Sequence, residues 1–164
     1  MSLESGRTSV IKIFISYAHE DERLKSQLIK HLSPLVRQEA IRCWDDQQLH
    51  AGEQREEIFR YFDEAHIILC LISPDFVSSD YCYDVEMKRA WQRHELDEAI
   101  IIPILLKPVD WSTLPFRVVQ VIPRTHKPIT KHTNRDLAFT DVAKEIDKVV
   151  TAQLRRHTEN GRIY

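Results

Sequence analysis

His66-Ile67-Ile68-Leu69-Cys70-Leu71-Ile72-Ser73-Pro74 is the stretch whose reading decides the fold. Six apolar residues in a row, without polar alternation and stopped by Ser-Pro, describe a strand buried on both faces. Such a strand belongs in the middle of a parallel sheet covered by helices. A helix is expected next, with Ser78 or Ser79 as its cap. At roughly 100° per residue, that helix turns Glu86 between Cys82, Tyr83 and Ala90, inside its apolar arc, while Asp84 and Lys88 face the other way. A carboxylate on the inner face of a helix, just past the carboxyl end of a central strand, lies where open α/β sheets bind their ligands.

The same alternation extends in both directions. Val10 to Ser16 reads as the first strand, and His19-Glu20-Asp21-Glu22 opens a helix with Leu24, Leu28, Ile29, Leu32 and Leu35 at helical spacing, fading between Pro34 and Gln38. Ala40 to Trp44 is a short second strand. The polar run Asp45 to Gly52 is a surface loop. From Glu53 a helix carries Ile58, Phe59, Phe62 and Ala65 towards the buried strand. Beyond Glu86, Ile100 to Leu106 is a further strand in which Pro103 signals an edge or a bulge. Lys107 to His126 is irregular, Lys127 to Thr130 is a brief last strand, and Asp136 to about Arg156 is a closing helix. Strands alternating with helices imply right-handed crossovers. The expected architecture is an α/β, flavodoxin-like three-layer sandwich, with a central parallel sheet of about five strands and helices on both faces. One domain, 10–156, is expected, between a disordered or cloning-derived lead at 1–9 and a frayed tail at 157–164.

Composition narrows the function classes. The 23 basic and 25 acidic residues leave a formal charge of −2, which gives no electrostatic pull towards nucleic acid or anionic membrane. The longest apolar runs fall short of the roughly 20 residues that span a bilayer, and the start of the chain shows no signal region, so a cytoplasmic, soluble protein is expected. Cys43, Cys70 and Cys82 are odd in number and irregularly spaced, which speaks for reduced thiols rather than disulfides. The eight histidines do not recur at metal-ligand spacing. With three glycines, the chain lacks both the G-x-G-x-x-G and the phosphate-loop patterns.

Three segments at strand ends fall into one pattern: Phe14-Ile15-Ser16-Tyr17, then Trp44-Asp45-Asp46 through Gly52, then Ser73-Pro74-x-Phe76 through Ser79-Asp80-Tyr81-Cys82-Tyr83-Asp84-Val85-Glu86. In this order, over about residues 10–150, they resemble a Toll/interleukin-1 receptor (TIR) domain of the bacterial type. The resemblance implies either a module that assembles with other TIR domains or, as in many bacterial and plant members, an enzyme that cleaves the nicotinamide glycosidic bond of NAD. The glutamate matched to the catalytic acid of the NAD-cleaving members is Glu86. Ser16, Tyr17, Ala18 and His19 match one wall of the pocket, and Asp45 to Gly52, with Asp46 and His50, matches the mobile "BB" loop. Where several NAD-cleaving members carry a tryptophan four residues before the glutamate, this chain has Cys82, flanked by Tyr81 and Tyr83.

The chemistry is consistent with that assignment. Nicotinamide departs neutral, so the bond breaks with little acid catalysis, while positive charge grows on the ribose as in other oxocarbenium-like transition states. A carboxylate beside it stabilises that charge. NAD is then a substrate, and no metal or resident cofactor is needed. The expected partners are NAD and other TIR domains through homotypic self-association, with fusion to further domains in a longer protein as an open alternative. From the residues alone, plainer readings stand beside these. Glu86 can pair with Arg89, and Tyr17 and Trp44 can close the core as aromatic caps. The competing function is a non-enzymatic interaction module that signals by assembly. A receiver-like switch ranks below both, because no acidic cluster at the first strand end and no late lysine stand out.

Overall fold

A computed structural model describes residues 10–45, 55–79, 87–112, 114 and 119–161. Four strands form its sheet: β1 (Ile11–Ser16), β2 (Ile41–Asp45), β3 (Ile67–Ile72) and β4 (Ile100–Leu105). All pairings are parallel, in the order β2-β1-β3-β4. The strand read first from the sequence, β3, is central and fully buried along its length. Helices α1 (Glu22–Arg37), α2 (Arg55–Glu64), α3 (Pro74–Ser78), α4 (Met87–Glu95) and α5 (Arg135–Gly161) cover the two faces.

The period of two along each strand divides the core. Ile11, Ile13, Ile15, Ile67, Leu69, Leu71, Ile102 and Ile104 pack with Leu24, Leu28 and Leu32 of α1 and with Phe139, Val142 and Ile146 of α5. Phe14, Ile68, Cys70, Ile72, Ile101 and Leu105 turn to the opposite face, against Phe62 of α2, Phe76 of α3, and Met87 and Ala90 of α4. Phe14 and Phe62 meet edge-to-face with centroids 5.1 Å apart. The result is the expected flavodoxin-like sandwich.

The structure differs from the sequence reading at a few places. Lys127 to Thr130 is not a strand; a 3-10 turn occupies Ile129–Lys131, and the fifth sheet position is reduced to one parallel bridge between Ile104 and Ile122. Pro123 directly follows Ile122 and Pro128 lies inside Lys127–Thr130, and each withholds a backbone donor that a strand needs. Pro103 sits within edge strand β4. The Leu105 N–H, two residues on, reaches outward to the Ile122 carbonyl at 2.8 Å, so the nitrogen of Pro103 also points away from β3 and no ladder bond is lost. Pro34 lies inside α1, which ends at Arg37. There Glu39 takes a left-handed conformation (φ 58°), and the Ala40 N–H bonds to the Leu35 carbonyl at 3.0 Å. At the other end of the chain, α5 continues past Arg156 to Gly161, and His157 packs edge-on against His66 at 4.9 Å.

Ser73-Pro74 both ends β3 and starts a helix. Ser73 Oγ accepts the Phe76 N–H at 3.1 Å as an N-cap, and Pro74 takes the first helical position, where a missing donor costs nothing. Ser79 closes this short helix, and the next described one begins at Met87. The expected cap at Ser78 or Ser79 for a helix through Glu86 concerns residues 80–86, outside those described.

Candidate functional site

In a parallel sheet all carboxyl ends share one edge, and the order reverses here between β1 and β3, the place where such folds hold ligands. That edge is polar and buried. Ser16, Asp45 and Ser73, at the ends of β1, β2 and β3, are at most 2% exposed, as is Asp21 just beyond β1.

Two networks occupy it. In the first, Tyr17 donates its hydroxyl to Glu22 Oε2 at 2.5 Å, and Lys25 Nζ donates to Glu22 Oε1 at 2.9 Å and to Asp45 Oδ2 at 3.2 Å. The same ammonium lies 5.0 Å from the centroid of the Tyr17 ring. A lysine so enclosed is costly unless paired. Burial alone would depress Lys25, but the Glu22 hydrogen bond and the Asp45 carboxylate outweigh it and hold the ammonium above its ordinary range. Burial opposes ionisation of Glu22 too, and hydrogen bonds from Tyr17 and Lys25 overcome it, so this carboxyl sits below its usual range.

In the second network, Asp21 in the 3-10 turn His19–Asp21 accepts the Ser73 hydroxyl on Oδ2 and Lys107 Nζ on Oδ1, the latter at 2.5 Å. The Asp21 side chain is fully enclosed, whereas that of Lys107 is about one-third exposed (31%). Ser73 thereby donates to Asp21 while it accepts from Phe76, using its hydroxyl in both directions.

Of the residues picked from the sequence, Ser16, Tyr17, Ala18 and Asp45 gather at this edge as buried groups, and His19 is exposed beside them. Tyr17 presents its hydroxyl to Glu22 and packs its ring into the core; Trp44, half-buried, lies against Tyr61 at 5.3 Å. Asp46, His50, Cys82 and Glu86 lie outside the described residues, as do Tyr81, Tyr83 and the rest of the loop after Asp45. The residue after Glu86 is described. Met87 is buried, with its Sδ 3.6 Å from the Cys70 thiol of β3, and Ala90 is buried as the helical arc requires. Arg89 bonds to Asp63 of α2, with Nε at 2.9 Å. Among the described residues no three His, Cys, Asp or Glu side chains are grouped to hold a metal ion.

The sequence reading missed Asp21, Lys25, Ser73 and Lys107 as members of the site. It set aside an acid near the first strand end paired with a late lysine, yet Asp21 and Lys107 form that pair across 86 positions. The two charges are engaged with each other and with Ser73, so they do not make an open acidic pocket. The available signals were Lys107 directly after the apolar run of β4 and a serine capping its own helix.

These features define a doubly wound α/β domain whose buried polar site lies at the carboxyl edge of the sheet. Residues 13–144 match the TIR domain family, and the chain belongs to it. The chain is 47% identical over 135 residues to the uncharacterized protein y4lF of Sinorhizobium fredii (strain NBRC 101917 / NGR234); the match takes in 82% of this chain and 42% of that protein. The chain thus spans less than half the length of this relative. Among solved structures, the TIR domain of the Toll-related receptor TRR-2 from Hydra magnipapillata superposes with a TM-score of 0.52 at 19% identity, covering 87% of this chain and 97% of that one. The TIR domains of the activated Roq1 resistosome recognizing the effector XopQ give a TM-score of 0.46 at 20% identity, over 91% and 82% of the two chains. Among the described residues no helix is long and apolar enough to cross a membrane.

Proposed function

We propose that this TIR domain cleaves NAD at the nicotinamide N-glycosidic bond, releasing nicotinamide and ADP-ribose or a cyclic isomer, when copies assemble in the cytoplasm during immune or stress signalling. The observation that carries this reading is the buried polar edge of the sheet in a chain that belongs to the TIR family. Glu86 is the catalytic carboxylate and stabilises positive charge on the ribose as nicotinamide leaves. Ser16, Ala18 and His19 form a wall for the substrate together with Tyr17, whose hydroxyl is already committed to Glu22. Asp45, anchored by Lys25, begins the loop that contributes Asp46 and His50. Cys82 lines the same pocket, with Tyr81 or Tyr83 supplying the aromatic surface. NAD is the substrate and no resident cofactor takes part.

Assembly matters because a binding-competent arrangement that is scarcely populated lowers apparent affinity by its own fraction. The test incubates concentrated chain with NAD and separates the products chromatographically, with Glu86→Ala alongside and circular dichroism as the folding control. Nicotinamide release that disappears in a folded Glu86→Ala variant is the expected result. Assembled chain that leaves NAD intact, with partner binding dependent on Leu49 or His50, would replace this reading with a pure interaction module.

A further inference from the structure

The amino edge of the sheet, away from the polar site, carries a cavity of about 230 Å³. It lies where β3 and β4 begin, between the end of α4 and the last turns of α5. Its wall is rich in hydrogen-bond donors. The Lys12 N–H donates to His66 Nδ1 at 2.9 Å, and because a backbone N–H only donates, neutral His66 must carry its proton on Nε2. No acceptor among the described residues takes that proton. His94 also lines the cavity, and its Nδ1 is buried without a hydrogen-bond partner among the described residues. A buried polar atom in this state calls for water or a ligand. Gln153 and Arg156 of α5 add an amide and a guanidinium to the same wall, and neither side chain has a partner among the described residues.

The field in the cavity is positive. After burial, it is His157, Lys12 and Arg93 that hold His66 down to about 4, and no carboxylate draws it back. His157 meets the His66 ring at 4.9 Å. Two acids line the cavity as well, but Asp97 is exposed and Glu98 turns its carboxylate to Arg93 Nε at 3.6 Å. The carbonyls of Arg93 and His94 at the end of α4 are taken by the N–H groups of Glu98 and Asp97, at 2.9 and 3.1 Å, so they are not left facing an incoming anion. A metal cation is a poor match, because the Nδ1 lone pair of neutral His66 is engaged and its Nε2 is protonated. A carboxylate brings two acceptor oxygens, whereas a phosphoryl group brings three and more charge, which suits this set of donors better. We propose that the cavity binds a phosphate group, with His66 Nε2–H, His94, the Gln153 amide and the Arg156 guanidinium as its donors. The site lies at the edge opposite the one proposed for NAD cleavage and does not depend on that activity.

The experiment follows the histidine ring signals of the full chain by NMR at neutral pH, while inorganic phosphate replaces chloride at constant ionic strength. Glycerol phosphate is titrated in parallel. The expected result is a saturable shift of the His66 and His94 signals with a Kd of about 1 mM or tighter. Arg156 is exposed, so Arg156→Met leaves the core intact, with circular dichroism as the control. That variant is expected to weaken phosphate binding by about 10-fold or more, through loss of a charge-assisted hydrogen bond, and Arg156→Lys by less. Lys30→Met removes a cation that lines a different cavity, between α1 and α5, and is expected to leave the Kd unchanged. Tighter binding of glycerol phosphate assigns the site to a phosphate ester, and equal or weaker binding assigns it to the free ion. His66 and His94 signals that stay in place, shifts that do not saturate, or a Kd untouched by Arg156→Met overturn the site and leave the proposed function standing.

Discussion

Lys25→Met removes the ammonium shared by Asp45 and Glu22, and the structure ranks its cost against that of Asp45→Asn. The Lys25 side chain is 7% exposed and that of Asp45 only 2%, whereas Glu22 is 38% exposed. Taking the cation away strips Asp45 of a charge partner in a buried setting, a change that costs about 3–5 kcal/mol when one member of a buried pair is deleted. Taking Asp45 away is milder, because Lys25 retains Glu22 at 2.9 Å; one charged hydrogen bond is lost, about 1.5–3 kcal/mol. For a domain of this size the lysine variant loses on the order of 10 °C in Tm. Thermal and urea unfolding of both variants supply the comparison. The pH dependence follows from the raised lysine. Its folded-state value exceeds the unfolded one, so its contribution is complete below about pH 10.4 and fades as pH rises through the higher folded value. The gap between wild type and Lys25→Met is therefore level around neutrality and narrows in strong alkali, and it narrows in acid too, as the Glu22 carboxyl that Lys25 helps hold below its usual range takes up its proton. A larger loss in Asp45→Asn than in Lys25→Met would refute the reasoning.

His66 carries an acid-side prediction. Burial first, then the nearby His157, Lys12 and Arg93, lowers it to about 4, and its Nδ1 accepts the Lys12 N–H at 2.9 Å. The unfolded chain takes up its proton first, so stability falls as pH drops from about 6.5 to about 4, by about 1–2 kcal/mol after allowance for partial exposure. Urea titrations at stepped pH measure this, and His66→Asn, which keeps an acceptor for Lys12, is expected to flatten the slope. Cys43 is expected to resist alkylation in the folded protein at pH 8, because burial and the Asp45 carboxylate push its thiol up to about 12. Cys70, enclosed in β3, behaves likewise; peptide mass mapping before and after unfolding checks both.

The sheet was legible because its strands announce themselves by composition. Ile67 to Ile72 has no polar residue to alternate with, and a strand of that kind has to be covered on both faces. Helices α1 and α5 were legible from their spacing, except at the ends, where long-range contacts decide. The His66–His157 contact is one, and no local pattern near residue 157 foretells it. The last strand was misread because Ile129 is apolar and flanked by turn residues, which suits a buried 3-10 turn as well as a strand. The polar site was harder still. Ser16, Tyr17 and Asp45 can be found by looking at strand ends, but Lys25 resembles any polar helix residue until the end of β2 is laid beside it.

The two networks together explain why buried charge is kept where apolar packing is often neutral or more stabilising. One ties β1, α1 and β2 through Tyr17, Glu22, Lys25 and Asp45; the other ties β1, β3 and the segment after β4 through Asp21, Ser73 and Lys107. Asp21 and Glu22 are adjacent, so both networks meet at the start of α1. Hydrophobic contacts set how far apart layers pack, but they are non-directional and tolerate rearrangement. Directed bonds between strand ends fix orientation as well. A reaction that depends on the distance from a carboxylate to a ribosyl carbon needs that second kind of constraint, supplied by side chains on rigid elements. The cost in desolvated charge is then borne where the chemistry is proposed to occur, and α1, contributing no catalytic group, acts as its common anchor.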